Sequence, residues 1–510
     1  MRGAAGATAT QRRTLTLGLG GVTRHACAAI ADDRQVLAVC EQERVTRVRG
    51  AGFNPTGLPD EAIDAIVGFA GAARGDIARY AIAEPARVDG PWPGTTLDHH
   101  LGHACSAYLT SPSDAATIVI CDHGNPGVSV WRGEGATIAP VDWPWDGTSL
   151  ADLYTECATL LGFPPPGGDQ RFESLARMMA ANPDRTLPAL FPTDGHGVMK
   201  QESWRARVVD LTRAASDIRQ RAQLAAGLQS QIADLLVALI RGVRKAAPSP
   251  NLCLGGGLFH HSSINTVARQ CGAFERVFIP VNPGNAGLAV GAAMHDARLG
   301  PAQVSAFLGP SYDAETDIKA TLDNCKLRYD LLGEGAAIAT AIHHLQQGRL
   351  VGWFEGRMEW GPRALGARAI LANPFSPYVL ENLNRFLKRR EAWRGYALSA
   401  TAASVPVHFS GPDEAPFMEC DYHPKDTARF RHVMPAEASH LRVQTVTADC
   451  PPRFRALLDA FGAATGIPCL LNTSFNGFHE PIVCTPRDAV RVFFGSGLDV
   501  LMLDRFVLTK

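Results

Sequence analysis

The sequence lacks the features that most quickly classify a chain. Its 12 cysteines include no CxxC pair and no recurring spacing, which excludes a zinc ribbon and a disulfide scaffold and fits a reducing compartment. No segment reaches the roughly 18 uninterrupted apolar residues of a membrane span. The N-terminal MRGAAGATATQRRTLTLGLGG carries arginines but no apolar core of signal-peptide length. Net charge is nearly absent: 49 lysines and arginines face 50 aspartates and glutamates, a formal charge of -1. That balance gives no general attraction to nucleic acid or a membrane surface and leaves only a local basic pocket open. No repeat of solenoid period runs through the chain. The expectation is a soluble, cytoplasmic protein with a frayed start.

What is present suits a large α/β protein. At 510 residues and 46% hydrophobic content, the chain exceeds what one growing core accommodates, so two large domains are expected, divided near residue 305. Leu15 to Leu19, Ala26 to Ile30 and Gln35 to Cys40 read as three strands of an antiparallel meander, with a polar turn at Asp32 and Asp33. Glu61 to Val67 has apolar positions three to four apart and reads as a helix, as does the longer Ser216 to Ala246. Ala115 to Cys121 is an apolar strand that delivers Asp122 to its end, and Asn251 to Leu254 is another that runs into Gly255, Gly256 and Gly257. Strand, glycine turn and helix in that order let a phosphate or ribose approach bare backbone, although a triple glycine alone is more often a tight turn.

Three clusters could carry chemistry. In Asp98-His99-His100-Leu101-Gly102-His103, a helix places His99 and His103 on one face, where two imidazoles converge on one cation and Asp122 can add a carboxylate. Histidines satisfied by backbone at a helix start are the plain alternative. The second cluster, GRMEWGPRALGARAILANP from Gly356 to Pro374, holds Arg357, Arg363 and Arg368, followed by KRREAWR from Lys388 to Arg394 and by Arg442 in RVQTV. Guanidinium groups stay charged at any working pH, so they need carboxylates, phosphates or water. In a chain without excess positive charge, their concentration points to a small anionic ligand; a solvated basic face suits Arg389 better than Arg363. The third cluster, LNTSFN from Leu471 to Asn476, ends an apolar strand with Asn472, Thr473 and Ser474, which can donate hydrogen bonds to an oxyanion or form an Asx-rich turn.

Together with the APFM run at Ala415 to Met418, these blocks resemble the NodU/CmcH-type O-carbamoyltransferase family in order and spacing from Leu15 onward. The resemblance implies an actin-like (ribonuclease H-like) N-terminal domain, residues 14–305, joined to a YrdC-like α/β C-terminal domain, residues 306–510. In such proteins the second domain makes carbamoyl adenylate from carbamoyl phosphate and ATP, with Mg2+ accompanying ATP. The first then transfers the carbamoyl group to a hydroxyl of a small-molecule natural product, such as an antibiotic. By resemblance, Arg363, Lys388, Arg394, Arg442 and Asn472 to Ser474 hold carbamoyl phosphate. Gly255, Gly256, Gly257 and Gly287 meet the nucleotide. His25 is the general base, and His99, His103 and Asp122 bind a divalent metal, expected to be Fe(II). The family's fourth metal ligand, an aspartate, is Asn285 here, and the aspartate after its catalytic histidine is Ala26. The Gly168 to Ala176 segment departs from its family counterpart, and His260 stands where an asparagine is usual. A nucleotide-binding regulator that has lost transfer is therefore the alternative; transfer to a tRNA adenosine is disfavoured by the balanced charge. No nucleic-acid or membrane partner is expected, and a homodimer is left open.

Overall fold

In the computed structural model, the described residues are 13–55, 57–84, 94–145, 147–183, 187–191 and 203–510. The start of the chain, read above as frayed, lies mostly outside them. The first ten strands form two five-stranded sheets. The first contains β1 (Leu15–Gly20), β2 (Cys27–Ala31), β3 (Val36–Glu41), β4 (Ile77–Ala83) and β5 (Thr95–Leu97) in the order β3-β2-β1-β4-β5. The second contains β6 (Ala115–Cys121), β7 (Val128–Glu134), β8 (Thr137–Val141), β9 (Asn251–Gly255) and β10 (Arg276–Phe278). Its order is β10-β9-β6-β7-β8.

Read from its other edge, the second sheet repeats the first. Each is an antiparallel meander whose first strand then pairs in parallel with the fourth, and the fourth with the fifth. This doubled arrangement is the actin-like, ribonuclease H-like fold expected for the N-terminal part. Its central strands read as continuous apolar runs because both faces are covered: every residue of β1 is buried, and so is every residue of β2. The helices His99–Leu109 and Gly287–Asp296 pack between the sheets. Small residues allow their close approach, since a Cβ on Gly291 would lie 2.5 Å from the Ser106 backbone nitrogen.

The remaining strands make one ten-stranded sheet. These are β11 (Asp330–Leu331), β12 (Val351–Phe354), β13 (Arg368–Ala372), β14 (Ala397–Thr401) and β15 (Phe409–Ser410), then β16 (Asp421–Pro424), β17 (Leu441–Val446), β18 (Cys469–Ser474), β19 (Val500–Leu503) and β20 (Phe506–Thr509). They run in the order β11-β20-β19-β12-β13-β18-β14-β17-β16-β15.

Polar contacts join the loops of this sheet to the segment that follows β3. Arg44 donates to the Gly361 carbonyl at 2.6 Å, and Arg47 donates to the Ile482 and Pro481 carbonyls at 2.6 and 2.7 Å. Among the described residues, one helix, Ile218–Ala246, is long and apolar enough to cross a membrane by length and composition. Its apolar side instead enters the core, where Leu228, Ile232, Leu236 and Ile240 are buried beside the helices Leu150–Leu160 and Gly168–Met178.

Candidate functional site

The first candidate centre forms where β6 ends beside the start of the His99–Leu109 helix. Asp98 caps that helix, its carboxylate accepting from the backbone N–H groups of His100 and Leu101. With its start fixed, the helical repeat brings His99 and His103 onto one face. His99 Nε2 lies 2.8 Å from Asp122 Oδ2, His103 Nε2 lies 3.1 Å from the same oxygen, and the two nitrogens are 3.2 Å apart. Three ligand atoms thus converge on one point from two elements. Bonds of about 2.1 Å to one cation place neighbouring ligand atoms roughly 3 Å apart, so the donor set and its spacing fit a divalent ion.

Asp122 is buried and is held from its other oxygen by the Gly257 N–H at 2.7 Å. Burial alone would raise its pKa, but His103, His99 and that N–H together keep it well below the usual carboxylate range. His99 moves the other way: burial opposes its proton, yet hydrogen bonds with Asp122 and Glu84 raise it to about 9.

The triple glycine serves this arrangement. Gly256 has φ +100, and a Cβ there would run into the Cys121 carbonyl; a side chain is excluded on both counts. The Gly256 N–H bonds to the Pro283 carbonyl at 2.8 Å, which draws the turn containing Asn285 against Gly255 to Gly257. Gly287 is required by packing, since a Cβ there would strike the Asn282 carbonyl and Ser106 Oγ. His25 sits in the β1–β2 turn at φ +59 with its backbone N–H bonded to the Gly50 carbonyl. Burial lowers its pKa below the ordinary imidazole value, with Glu43 opposing and Arg24, Arg49 and Arg44 adding to the effect.

The second centre is cationic and lies where the ten-stranded sheet meets the helix Gly168–Met178. A small cavity there is lined by Ser174, Arg177, Tyr396, Met434, His440 and Arg442. Arg363 donates to the His260 carbonyl at 2.9 Å and stands within the field of Arg442. Burial, reinforced by Arg177, lowers the Arg363 pKa; burial, reinforced by Arg363 and Arg177, pushes Arg442 well down. Arg394 is lowered to about 10, first by burial and then by Arg390. Glu173 and Asp421, the carboxylates beside Arg363 and Arg442, are engaged by Arg177 at 3.1 and 3.0 Å, and Arg394 has Glu391 at 4.0 Å. Positive charge thus accumulates here without a matching number of free anions.

Not every residue expected in this second centre faces open space. Lys388 donates to the Ser474 carbonyl at 2.6 Å, to the Asn476 carbonyl at 3.1 Å and to Asn476 Oδ1 at 2.6 Å, which uses its three hydrogens. Burial, then Arg390, lowers its pKa well below the usual amine value. Asn472 lies within the sheet, its amide directed at the Ala364 carbonyl and Ser399 Oγ. Thr473 pairs with Ile370 across β13 and β18, and Ser474 Oγ meets Asn476 Oδ1 at 2.8 Å. The structure sets Arg442 in the cavity wall with Arg363 in its field, and Arg394 precedes the lining residues Gly395 and Tyr396, whereas Lys388 and Asn472 do not line it.

Three groups escaped sequence reasoning. Glu173, Arg177 and Asp421 form a buried ion cluster between helix and sheet, joined by Ser262 Oγ at 2.7 Å from Asp421; 244 residues separate Arg177 from Asp421, and no local pattern signals such a pair. His123 meets Asp152 at 2.8 Å beside the triple glycine. Glu84 meets His99 Nδ1 at 3.0 Å, and it did carry a signal: like Asp122, it follows directly on an apolar strand end.

Comparison with known proteins agrees with these observations. A family model described as carbamoyltransferase N-terminus matches residues 92–294, and one described as carbamoyltransferase C-terminus matches residues 342–510. The uncharacterized protein sll1178 of Synechocystis is 30% identical over 470 residues, covering 81% of this chain and 76% of that protein. The nodulation protein NolO of Bradyrhizobium diazoefficiens is 29% identical over 440 residues, covering 81% and 79%. Among solved structures, full-length HypF in its phosphate- and nucleotide-bound form aligns with 56% of this chain and 46% of its own, at 11% identity and a TM-score of 0.41. That likeness is too slight to argue from, and the fold rests on strand order. With both halves matched by family models and a 30% identical relative spanned over most of its length, the chain belongs to the carbamoyltransferase family of the NodU/CmcH type.

Proposed function

We propose that this protein makes carbamoyl adenylate from carbamoyl phosphate and Mg2+-bound ATP in a YrdC-like unit, residues 306–510, and transfers the carbamoyl group to a hydroxyl of a small-molecule natural product in the unit 14–305. The observation that carries this reading is the half-buried pair Arg363 and Arg442, close to one another and to Arg177 beside the cavity, with Arg394 adjoining its lining residues Gly395 and Tyr396; partial burial lowers the pKa of all three. Such a group is stabilised by an entering dianion, and a planar guanidinium suits phosphate through paired hydrogen bonds. Water first cleaves carbamoyl phosphate to carbamate and inorganic phosphate; when a carbamate oxygen then bonds the α-phosphorus of ATP and pyrophosphate leaves, the same cations oppose the charge that builds up. Lys388 and Ser474 border this ligand; Asn472 sets the sheet behind it.

In the second step the hydroxyl oxygen bonds the carbamoyl carbon, AMP leaves, and the hydroxyl proton passes to His25, whose depressed pKa keeps it neutral and able to accept near pH 7. Gly255 to Gly257 give the nucleotide backbone to rest on. His99, His103 and Asp122, with Asn285 in the adjoining turn, hold a divalent ion, for which Fe(II) suits a two-histidine, one-carboxylate set. When bound, the ion supplies Lewis-acid polarisation of the carbamoyl oxygen.

Purified protein should release pyrophosphate from ATP only when carbamoyl phosphate is supplied, and AMP turnover should rise with a hydroxylated acceptor. ATP turnover indifferent to carbamoyl phosphate would overturn the reading. Ala26 and Asn285 favour one alternative, a nucleotide-binding regulator, which would take up carbamoyl phosphate or ATP without releasing pyrophosphate.

A further inference from the structure

The two histidines of the metal-type centre are supported unequally. His103 Nδ1 is buried and has no hydrogen-bond partner, so on that side the ring is held by packing alone. His99 Nδ1 lies 3.0 Å from Glu84 Oε1. Glu84 follows directly on β4, and its other oxygen accepts the Val22 N–H at 2.7 Å. Val22 belongs to the β1–β2 turn that carries His25. One carboxylate therefore spans from a ring facing Asp122 to the turn bearing the proposed base.

We infer that Glu84 is the positioning residue of this centre: it fixes the His99 tautomer by accepting from Nδ1–H, leaves the Nε2 lone pair for the metal, and joins metal loading to the β1–β2 turn. The inference rests on the proposal that His99, His103 and Asp122 bind a divalent ion. An imidazole that binds a cation through one nitrogen must carry its proton on the other, and an acceptor there fixes the ring's orientation and raises its basicity. Because His103 lacks such an acceptor, the task falls on Glu84 alone among the described residues. Removing an outer support of this kind costs about 10- to 100-fold in metal affinity.

The test uses full-length protein loaded with Co2+, whose visible absorption reports coordination directly. The unaltered protein should bind Co2+ most tightly. Glu84→Ala should bind about 10- to 100-fold more weakly with an altered spectrum. Glu84→Gln should lie between, because its single carbonyl oxygen can serve either His99 or Val22 but not both. Hydrogen exchange at the Val22 amide should slow on metal loading in the unaltered protein and not in Glu84→Ala. A merely structural role would lower the chelator-treated protein's melting temperature yet leave the affinity and spectrum of the folded fraction unchanged; that result overturns the inference while the metal proposal stands. If the unaltered protein takes up no Co2+, both are overturned.

Discussion

The two centres of this protein solve opposite electrostatic problems. Around His99, His103 and Asp122, ligand atoms converge and, among the described residues, no lysine or arginine pairs with them; around Arg363 and Arg442, cations converge and the carboxylates beside them, Glu173 and Asp421, already answer Arg177. In the first, a cation would take the place of the proton that His99 shares with Asp122. In the second, an anion would relieve the repulsion between neighbouring guanidinium groups. Each centre is organised by what it lacks, and backbone carbonyls rather than side-chain charges position the cations, as when Arg363 donates to His260 and Lys388 to Ser474. Holding charge with neutral dipoles keeps it available to a ligand, whereas an ion pair would consume it.

The largest effect should come from removing one side of this contrast. Arg442→Ala should lower carbamoyl phosphate-dependent pyrophosphate release by about 10²- to 10³-fold, the usual cost of one preorganised charge-stabilising donor. Its metal content, measured by elemental analysis, should stay unchanged. Loss of both together would show that the two centres work as one. A loss of comparable size, read in stability, should follow from cutting the contact between the regions. Arg177→Ala leaves Glu173 and Asp421 without their partner in a buried setting, which costs about 3–5 kcal/mol. Chemical denaturation should show the loss, and Asp421→Asn should show part of it.

The last effect, spread over a range of pH, concerns Glu355, a buried carboxylate within the cation-rich half. Burial raises its pKa from 4.5 to about 7, with Arg453 opposing. A raised carboxylate favours the folded state at low pH, where both states are protonated, and that contribution is lost as pH climbs from about 4.5 through about 7. Melting temperatures between pH 5 and 8 should therefore decline more steeply in the unaltered protein than in Glu355→Gln. Equal slopes would show that Glu355 is ionised throughout.

Legibility tracked distance along the chain. The strand Ala115–Cys121 and the meander before it were readable because their apolar patterns are local, and the observed meander strands begin and end within one residue of the expected bounds. The long helix begins at Ile218, two residues inside the expected Ser216, because Asp217 caps it. The convergence of His99, His103 and Asp122 was also readable, since a four-residue helical spacing and a strand end both have fixed directions. Glu84 offered the same strand-end signature as Asp122 and went unread because the strand before it, Ile77–Ala83, was not among those expected.

By itself, then, the sequence determined the alternation of strands and helices, the shared face of His99 and His103, and the excess of guanidinium groups after residue 350. These follow from backbone periodicity and from the fixed charge of arginine, which neighbours far along the chain do not alter. Only the tertiary structure decided that Arg177 answers Asp421 across the two regions, that Lys388 spends its hydrogens on Ser474 and Asn476, and that Glu84 stands behind His99. Each is a contact between segments whose separation along the chain says nothing of their separation in space, and the direction of a buried polar group is set by whichever partner packing delivers to it.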